Sequence, residues 1–194
     1  MASLKFLKAA LKDYRVGAFT VSSRYAVRKV LKAVEPSHKF IIEYGAGDGV
    51  VTKEILRLLP KDGRLIVIEL NPEFLKELGR IKDKRLKIIN GNVIALSKKL
   101  NQLGLPRIDL IISNIPFTIL KKQDKESIIK HAWQALNAGG IFLVYQYSPI
   151  LLPLLKKYFK EVKVGFEPRN FPPYFFMTAR KTTTEQRLDK LDKR

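Results

Sequence analysis

From residue 40 onward, short apolar runs alternate with stretches that have the apolar spacing of helices. The runs rich in Ile, Val and Leu predict strands at "FIIEYG", "RLIVIEL", "LKIIN", "IDLIISNI" and "GIFLVYQY". The stretches that follow them predict helices at "GVVTKEILRLLP", "NPEFLKELGRIK", "NVIALSKKLNQL", "DKESIIKHAWQALNAGG" and "PILLPLLKKYFK". This alternation indicates a parallel sheet covered by helices on both faces, because parallel neighbours need a crossover connection.

The last two predicted strands break this pattern. "EVKVGFE" and "YFFMTARK" are joined by "PRNFPP" without a helix, which predicts an antiparallel hairpin. Residues 40–181 are therefore expected to form one α/β domain with a doubly wound, seven-stranded sheet whose last strand is antiparallel. Residues 182–194 are polar and predict an exposed tail.

Residues 1–39 have a different character from the sheet domain. "SLKFLKAALKDYR" places leucines on one side of a helix and lysines on an adjacent stripe. "VGAFTVSSRYAVRKVLKAV" predicts a second basic amphipathic helix, with Ser22 or Ser23 as its cap. This segment is predicted to be a basic cap that contacts a membrane or a substrate.

The net charge of +19 is the strongest signal in the composition. Lys and Arg number 37 against 18 Asp and Glu, so the partner is expected to be polyanionic, either nucleic acid or an anionic lipid surface. A lysine-rich composition from a hot habitat is the alternative, although Glu normally rises with Lys there. The chain has no cysteine, no apolar run of the roughly 18 residues that span a bilayer, and no signal-peptide pattern, so we expect it in the cytoplasm.

The stretch "EYGAGDGV" follows the first predicted strand directly. Glycines at 45, 47 and 49 allow a sharp turn and the close approach of a ligand to the backbone. A dinucleotide pyrophosphate or a simple tight turn would both fit a lone pattern of this kind. Glu43 and Asp48 would repel a pyrophosphate, but they suit a ligand with an ammonium group and a further positive charge. S-adenosylmethionine is such a ligand.

Two further strand ends carry polar residues in corresponding positions. Glu69 ends the second strand, where a carboxylate can bind both ribose hydroxyls. Asn92 follows the third strand, where its amide can meet the adenine edge while Val93 and Ile94 pack against the ring. Three successive strand ends at one edge of the sheet thus match three parts of one cofactor. The sequence predicts a Rossmann-like class I S-adenosylmethionine-dependent methyltransferase.

Stretches that flank these motifs resemble a known family. "VGAFTVSSRYAVRKV" and "RNFPPYFFMTARK" are similar to two stretches of bacterial phospholipid N-methyltransferases, and the resemblance runs from about Leu4 to Lys181. It implies transfer of methyl groups to the amine of phosphatidylethanolamine, toward phosphatidylcholine, by an enzyme held on the inner face of the membrane by a basic amphipathic helix. Val21 replaces the proline usual in the family, and Asn92 replaces the commoner aspartate.

The stretch "SNIPF" keeps a second substrate open. It resembles the motif of ribosomal RNA adenine dimethyltransferases, in which the Asn side chain and the next carbonyl accept hydrogen bonds from the target amine. Those enzymes carry an additional helical domain after the sheet, whereas here about a dozen residues follow the last strand. Lipid is therefore the favoured acceptor and nucleic acid the less favoured one. A protein that binds the cofactor without turnover is a third reading.

These arguments assign candidate residues to three parts of a site without a metal. The cofactor is expected to contact Ser23, Glu43, Gly45, Gly47, Gly49, Glu69, Leu70, Asn92, Val93 and Asn114. The methyl-acceptor pocket is expected to be bordered by Asn114, Phe117, Tyr145 and Tyr147, since aromatic faces attract a methylated ammonium by about 1–2 kcal/mol. The substrate is expected to contact Arg24, Tyr25, Arg169, Asn170 and Tyr174.

Overall fold

The computed structural model of the protein describes residues 22–102 and 107–182. The predicted helix over residues 4–15, the residues of the tail after Thr182, and Val21 lie outside the described residues. The described part contains seven strands: β1 (Phe40–Tyr44), β2 (Arg64–Glu69), β3 (Leu86–Asn90), β4 (Leu110–Ser113), β5 (Ile141–Gln146), β6 (Glu161–Glu167) and β7 (Tyr174–Arg180).

Among the described residues, six α-helices connect these strands or precede them. They are α1 (Arg24–Leu31), α2 (Val50–Leu58), α3 (Pro72–Leu78), α4 (Val93–Ser97), α5 (Lys122–Ala135) and α6 (Leu152–Tyr158). Two short 3₁₀ turns follow α4 and β4, at Leu100–Gln102 and Phe117–Ile119. The sequence predicts one helix over residues 92–103, whereas the described part of this range, residues 92–102, contains a single α-helical turn followed by a 3₁₀ turn.

The strands form one sheet in the order β3-β2-β1-β4-β5-β7-β6. Neighbours from β3 to β5 are parallel, whereas β7 is antiparallel to both β5 and β6. The predicted Rossmann-like, doubly wound sheet with its antiparallel last strand is therefore confirmed. The strand order reverses between β1 and β4, and ligands of such folds bind in the crevice outside the carboxyl ends of the strands at this point.

Apolar side chains cover both faces of the sheet. On one face, α1, α2 and α3 pack against alternate residues of the central strands, including Ile41, Leu143 and Tyr145. On the other face, α5 and α6 pack against residues of the opposite parity, such as Ile42 and Phe142. The central strands β1, β4 and β5 are buried almost throughout, as their continuous apolar runs indicate.

Local sequence explains how the helices at the rim begin. Ser23 is the N-cap of α1, because its hydroxyl accepts a hydrogen bond from the Ala26 N–H at 3.2 Å. Asn71 caps α3 in the same way, and Pro72 occupies the first helical position, where a missing N–H costs nothing. Of the two caps that the sequence left open for α1, the structure therefore selects Ser23. Among the described residues, no helix is long and apolar enough to cross a bilayer.

Candidate active site

The glycine-rich turn joins β1 to α2 with three left-handed residues. Gly45, Gly47 and Gly49 have φ values of 71°, 57° and 79°, a region that side-chain-bearing residues rarely adopt. A Cβ on Gly45 would lie 2.9 Å from the Ile115 side chain, so the turn packs closely against the segment after β4. A Cβ on Gly47 would enter open space. The turn therefore offers bare backbone to the crevice at Gly47.

Glu43 lies beneath this turn and is only 1% exposed. Its Oε2 accepts a hydrogen bond from the Thr52 hydroxyl at 2.6 Å, whereas Oε1 has no hydrogen-bond partner among the described residues. Burial raises the pKa of Glu43 to about 7, and the hydrogen bond from Thr52 offsets part of this rise. A buried acceptor without a donor carries a free-energy cost that a cationic ligand group would remove.

Glu69 at the end of β2 faces the same turn. Its Oε2 accepts from the Gly47 N–H at 3.0 Å, and its Oε1 accepts from the N–H groups of Leu70 and Asn71 at 2.8 and 2.9 Å. The carboxylate thus fixes the glycine turn and the start of α3 together. Three backbone donors occupy three of its roughly four lone-pair positions, so a bidentate grip on ribose requires ligand hydroxyls to replace some of these bonds.

The third strand end is built around Asn92. Its Oδ1 accepts from the Ile94 N–H at 2.8 Å and so caps α4. The amide NH₂ group is the part of the side chain that can donate to an adenine nitrogen. Val93, predicted to pack against the adenine, is 8% exposed and belongs to the core under α5.

The "NIPF" stretch leaves β4 next to the glycine turn. The Asn114 N–H donates to the Tyr44 carbonyl at 3.1 Å, and its side chain is partly exposed. The ring of Phe117 has no exposed surface and packs in the core, whereas the sequence placed it at the border of the acceptor pocket. Tyr147 is 41% exposed and shares a hydrogen bond with the Thr118 hydroxyl. Asn114 and Tyr147 therefore face the rim, and Phe117 supports it from below.

Tyr145 and Tyr174 form an aromatic group at the carboxyl end of β5. The Tyr145 ring lies 5.7 Å from the rings of Tyr174 and Phe176, edge-on to the first and stacked on the second. Burial raises the pKa of the Tyr145 hydroxyl well above its usual value, and the charge of Glu43 raises it further. The neighbouring Ser22 side chain offsets part of this rise. The raised pKa keeps the Tyr145 hydroxyl protonated at neutral pH, and the side chain is only 2% exposed.

The two stretches that flank the cofactor motifs meet in space. The Ser23 N–H donates to the Asn170 Oδ1 at 2.9 Å, although the two residues are 147 positions apart. The Asn170 amide nitrogen donates to the Pro172 carbonyl at 2.8 Å, and Asn170 is only 2% exposed. Asn170 therefore holds the start of α1 against the β6–β7 connection, and its amide is engaged by protein groups rather than open to a substrate.

Two arginines lie on either side of this junction. The Arg169 guanidinium carbon lies 4.1 Å from the centre of the Tyr25 ring, and that of Arg24 lies 4.9 Å from it. Arg24 also donates to the Tyr25 hydroxyl, and Arg169 makes a two-pronged ion pair with Glu167. The hydrogen bonds from Arg169 hold the pKa of Glu167 at about 2. The result is an exposed guanidinium pair around one ring at the edge of the crevice.

The structure brings most of the predicted residues to one rim, formed by the carboxyl ends of β1, β2, β4 and β5. Three contributors were missed by the sequence analysis. Thr52 donates to Glu43, Ser22 lies beside the Tyr145 hydroxyl, and Phe176 stacks on the Tyr145 ring. The sequence offers one indication that Thr52 takes part in the site, because its hydroxyl lies one helical turn after Asp48. The other two have none, since their partners are more than 30 residues away.

The doubly wound sheet, the open backbone at Gly47 and the two acidic strand ends define a class I S-adenosylmethionine-dependent methyltransferase. The residues present fit this cofactor, because Glu43 has an unsatisfied buried oxygen and the crevice over Gly47 is free of side chains.

Comparisons with known proteins agree with this class. Residues 42–142 match the methyltransferase-domain family, and the chain belongs to that family. The ornithine lipid N-methyltransferase of Singulisphaera acidiphila is 30% identical over 138 residues, which cover 70% of this chain and 72% of that protein. The ubiquinone/menaquinone biosynthesis C-methyltransferase of Enterobacter sp. is 29% identical over 61% of this chain, but the match covers only 47% of that protein.

Solved structures show the same fold at low sequence identity. The O-methyltransferase TomG from Streptomyces achromogenes, solved in complex with S-adenosylmethionine, superposes with a TM-score of 0.69 at 16% identity. The match covers 91% of this chain and 89% of that structure. The family match and the fit of the residues at the glycine turn indicate S-adenosylmethionine as the cofactor, as the sequence predicted. The methyl acceptor is a separate question, because relatives with different acceptors match the same domain.

Proposed function

We propose that this protein is an S-adenosylmethionine-dependent N-methyltransferase that acts on the amine head group of a membrane lipid, with phosphatidylethanolamine as the first candidate. The observation that carries the proposal is the junction between Ser23 and Asn170. It joins the two stretches that resemble lipid N-methyltransferases, and it supports an arrangement in which their arginines lie beside the cofactor crevice. A contact of this kind gives the two stretches a shared role in binding the acceptor.

The chemistry of the rim suits an amine that is a few bonds away from an anion. Arg24 presents its guanidinium group, and Arg169, whose Nε and Nη2 are paired with Glu167, presents its Nη1; planar guanidinium donors match phosphate or carboxylate oxygens. Phosphatidylethanolamine has a phosphate two carbons from its amine. An ornithine lipid, the substrate named for the relative in S. acidiphila, has a carboxylate and an amine on one head group. Both head groups fit the proposed pair of arginines.

We assign the cofactor to the residues of the glycine turn and of the acidic strand ends. Glu43 would accept the ammonium group with its unsatisfied Oε1, and Glu69 and Asn92 would hold the ribose and the adenine. When bound there, S-adenosylmethionine supplies an electrophilic methyl group. Gly45 and Gly47 keep side chains out of its approach.

The acceptor amine would lie between Asn114 and Tyr147. The Asn114 side chain is partly exposed next to the glycine turn, and its carbonyl oxygen can accept an N–H of the amine. Tyr147 offers an exposed aromatic ring, which attracts the methylated ammonium that forms by about 1 kcal/mol, whereas Tyr145 and Tyr174 are only 2% and 3% exposed and support this side from within. Tyr147 closes the same side through its hydrogen bond to Thr118. These residues orient the amine, and orientation is the main contribution that such a transfer needs from the protein.

The surface beside the arginines supports contact with a membrane. Phe171 is 87% exposed at the tip of the connection that holds Asn170 and Arg169. Exposed aromatic rings next to cationic side chains are typical of surfaces that lie in the lipid head-group layer. We propose that this tip enters that layer together with the basic segment before α1, so that the enzyme takes its acceptor from the inner face of the membrane without leaving the surface.

The test offers labelled S-adenosylmethionine in parallel to liposomes with phosphatidylethanolamine, to liposomes with an ornithine lipid and to ribosomal RNA. We expect label in lipid and none in RNA. The variant R24Q/R169Q should lose most of the lipid methylation while its affinity for S-adenosylmethionine stays unchanged. The matched control, R57Q/R80Q, removes two exposed arginines outside the rim and should behave as the wild type.

The position of Asn114 beside the glycine turn favours a second candidate function, that of an RNA adenine N-methyltransferase. An amide beside the glycine turn suits an exocyclic amine of a base as well as a lipid amine. Label in RNA alone would establish this candidate and refute the lipid proposal. Cofactor binding without transfer to any of the three acceptors would refute both and leave a binding protein.

A further inference from the structure

A cavity of about 310 Å³ lies away from the cofactor crevice, between α1 and the β6–β7 hairpin. Its floor is apolar and consists of buried or half-buried side chains of the sheet and of α1, among them Ile141, Leu143 and Phe176. Ile141 and Leu143 belong to the amino-terminal half of β5, whereas the cofactor crevice opens at the carboxyl ends of the strands. The cavity is at the small end of the range for ligand sites, roughly 300–1,000 Å³.

The rim of the cavity is cationic. Four basic side chains line it, Lys29, Lys32, Lys163 and Arg180, against the single carboxylate of Glu35. Arg180 is ion-paired with Glu35, which cancels this negative charge locally. Lys29 donates to the Phe166 carbonyl and lies over the Phe176 ring. The Lys29 ammonium group is thus already engaged by protein groups, and the net charge of the rim is positive.

Lys32 and Lys163 are the two lysines of this rim whose ammonium groups have no bonding partner among the described residues. Both side chains are exposed, and within residues 22–102 and 107–182 neither has a hydrogen bond or an ion pair. They come from opposite walls, Lys32 from the end of α1 and Lys163 from β6. Two free ammonium groups across an apolar floor form a site for an anion with an apolar portion, because the anion meets charge at the rim while the apolar portion covers the floor.

We propose that this cavity binds a phosphate-bearing amphiphile, namely an anionic lipid that has no amine and so is not the methyl acceptor. Charge complementarity selects this occupant over the chain's own ends. Residues 1–21 contain four basic side chains and one acidic one, and residues 183–194 contain four basic and three acidic ones. Either segment would bring further positive charge to a positive rim.

The cavity also touches the acceptor side of the protein. Phe176 lines it and stacks on the Tyr145 ring, with 5.7 Å between the ring centres and 11° between their planes. An apolar chain on the floor would therefore lie against the ring that supports Tyr145. This contact gives the second lipid a direct physical connection to the rim.

Isothermal titration calorimetry of the full chain with dihexanoyl phosphatidylglycerol, below its critical micelle concentration, tests the proposal. We expect saturable binding that the variant K32Q/K163Q weakens by about tenfold, as the loss of two ion pairs between exposed, solvent-screened groups predicts. The control variant K98Q/K99Q removes the same charge from two exposed lysines after α4, near the opposite edge of the sheet, and should bind as the wild type. Both variants should keep wild-type affinity for S-adenosylmethionine.

Parallel titrations separate the possible sources of the phosphate. Dihexanoyl phosphatidylcholine, whose head group has no net charge, and inorganic phosphate should both bind at least about tenfold more weakly, because each lacks one half of the complementary chemistry. Equal affinity for inorganic phosphate would overturn the proposed amphiphile. An absence of saturable binding, or equal losses in K32Q/K163Q and K98Q/K99Q, would overturn the site itself. None of these outcomes depends on which acceptor is methylated.

Discussion

The buried carboxylate of Glu43 leads to a quantitative prediction about pH. Its pKa is raised from 4.5 to about 7 because the carboxylate is almost completely withdrawn from water. Between these two values the folded state binds more protons than the unfolded state, so the free energy of unfolding falls as the pH rises. The stability associated with neutral Glu43 is present below about pH 4.5 and is lost as the pH rises through about 7.

The replacement Glu43→Gln removes this dependence. A glutamine has nearly the shape of the protonated carboxyl group and can still accept from the Thr52 hydroxyl. A shift of about 2.5 pKa units corresponds to about 3 kcal/mol at 1.36 kcal/mol per unit. We therefore expect the unfolding free energy of the variant, relative to the wild type, to rise by about 3 kcal/mol between pH 4 and pH 8.5.

Urea unfolding at four pH values between these limits measures the difference. The exposed Glu161 on β6 offers a matched control, since Glu161→Gln also replaces one carboxyl group by an amide. A difference between Glu43→Gln and wild type that stays constant across the pH range would refute the reasoning, because it would mean that ionised Glu43 carries no burial cost.

Binding of S-adenosylmethionine should respond in the opposite direction. An ammonium group needs the ionised carboxylate, so the affinity of the wild type should fall by up to about tenfold per pH unit below pH 7. Glu43→Gln should bind at least about thirtyfold more weakly at pH 8, which corresponds to about 2 kcal/mol for a lost charged hydrogen bond. Calorimetry at pH 6 and pH 8 checks both values, and a pH-independent affinity of the wild type would contradict the assignment of Oε1 to the ammonium group.

Three further predictions, with four replacements, test other parts of the structure. Gly47→Ala and its control Gly139→Ala both place a side chain at a positive φ with open space around it, so each variant should lose about 1–2 kcal/mol of stability. Only Gly47→Ala should weaken the binding of S-adenosylmethionine in calorimetry. Equal affinities of the two variants would show that the cofactor binds elsewhere. Lys181 is 1% exposed and donates hydrogen bonds to two carbonyls at the end of α5. Lys181→Met should therefore lower the unfolding free energy, measured in urea, by about 2 kcal/mol. An unchanged urea midpoint would show that these hydrogen bonds contribute nothing to stability. Asn170→Ala removes the acceptor of the Ser23 N–H hydrogen bond, so hydrogen exchange of the Ser23 backbone amide should accelerate by about tenfold or more. An unchanged exchange rate would mean that this hydrogen bond does not hold the start of α1.

The sequence was sufficient for the fold because its signals are local and agree with one another. Continuous apolar runs marked β1, β4 and β5, and helical spacing marked α2, α5 and α6, with boundaries within a few residues of those observed. The absence of a helix-like pattern in "PRNFPP" predicted the antiparallel hairpin that β6 and β7 form in the structure. The helix after β3 was shorter than predicted, since apolar spacing does not distinguish an α-helical turn followed by a 3₁₀ turn from one longer helix.

The roles of individual side chains were less predictable. Asn92, Asn170 and Phe117 carry the residue types expected of ligand contacts, yet the structure uses their groups for a helix cap, a junction and the core. The sequence predicts that Glu69 binds the ribose, and in the structure its carboxylate accepts hydrogen bonds from three backbone N–H groups of the rim. A polar side chain can satisfy either a ligand or the protein, and local sequence does not distinguish the two.

The sequence by itself determined the α/β class, the parallel direction of the first five strands, and the presence of a glycine turn and of acidic residues at two strand ends. Tertiary structure alone decided that Ser23 meets Asn170, that Arg24 and Arg169 share one aromatic ring, and that lysines from α1 and β6 face each other across a cavity. The physical reason is range. Hydrophobic periodicity and turn chemistry act over a few residues, whereas these contacts join residues more than a hundred positions apart and exist only after the sheet has assembled.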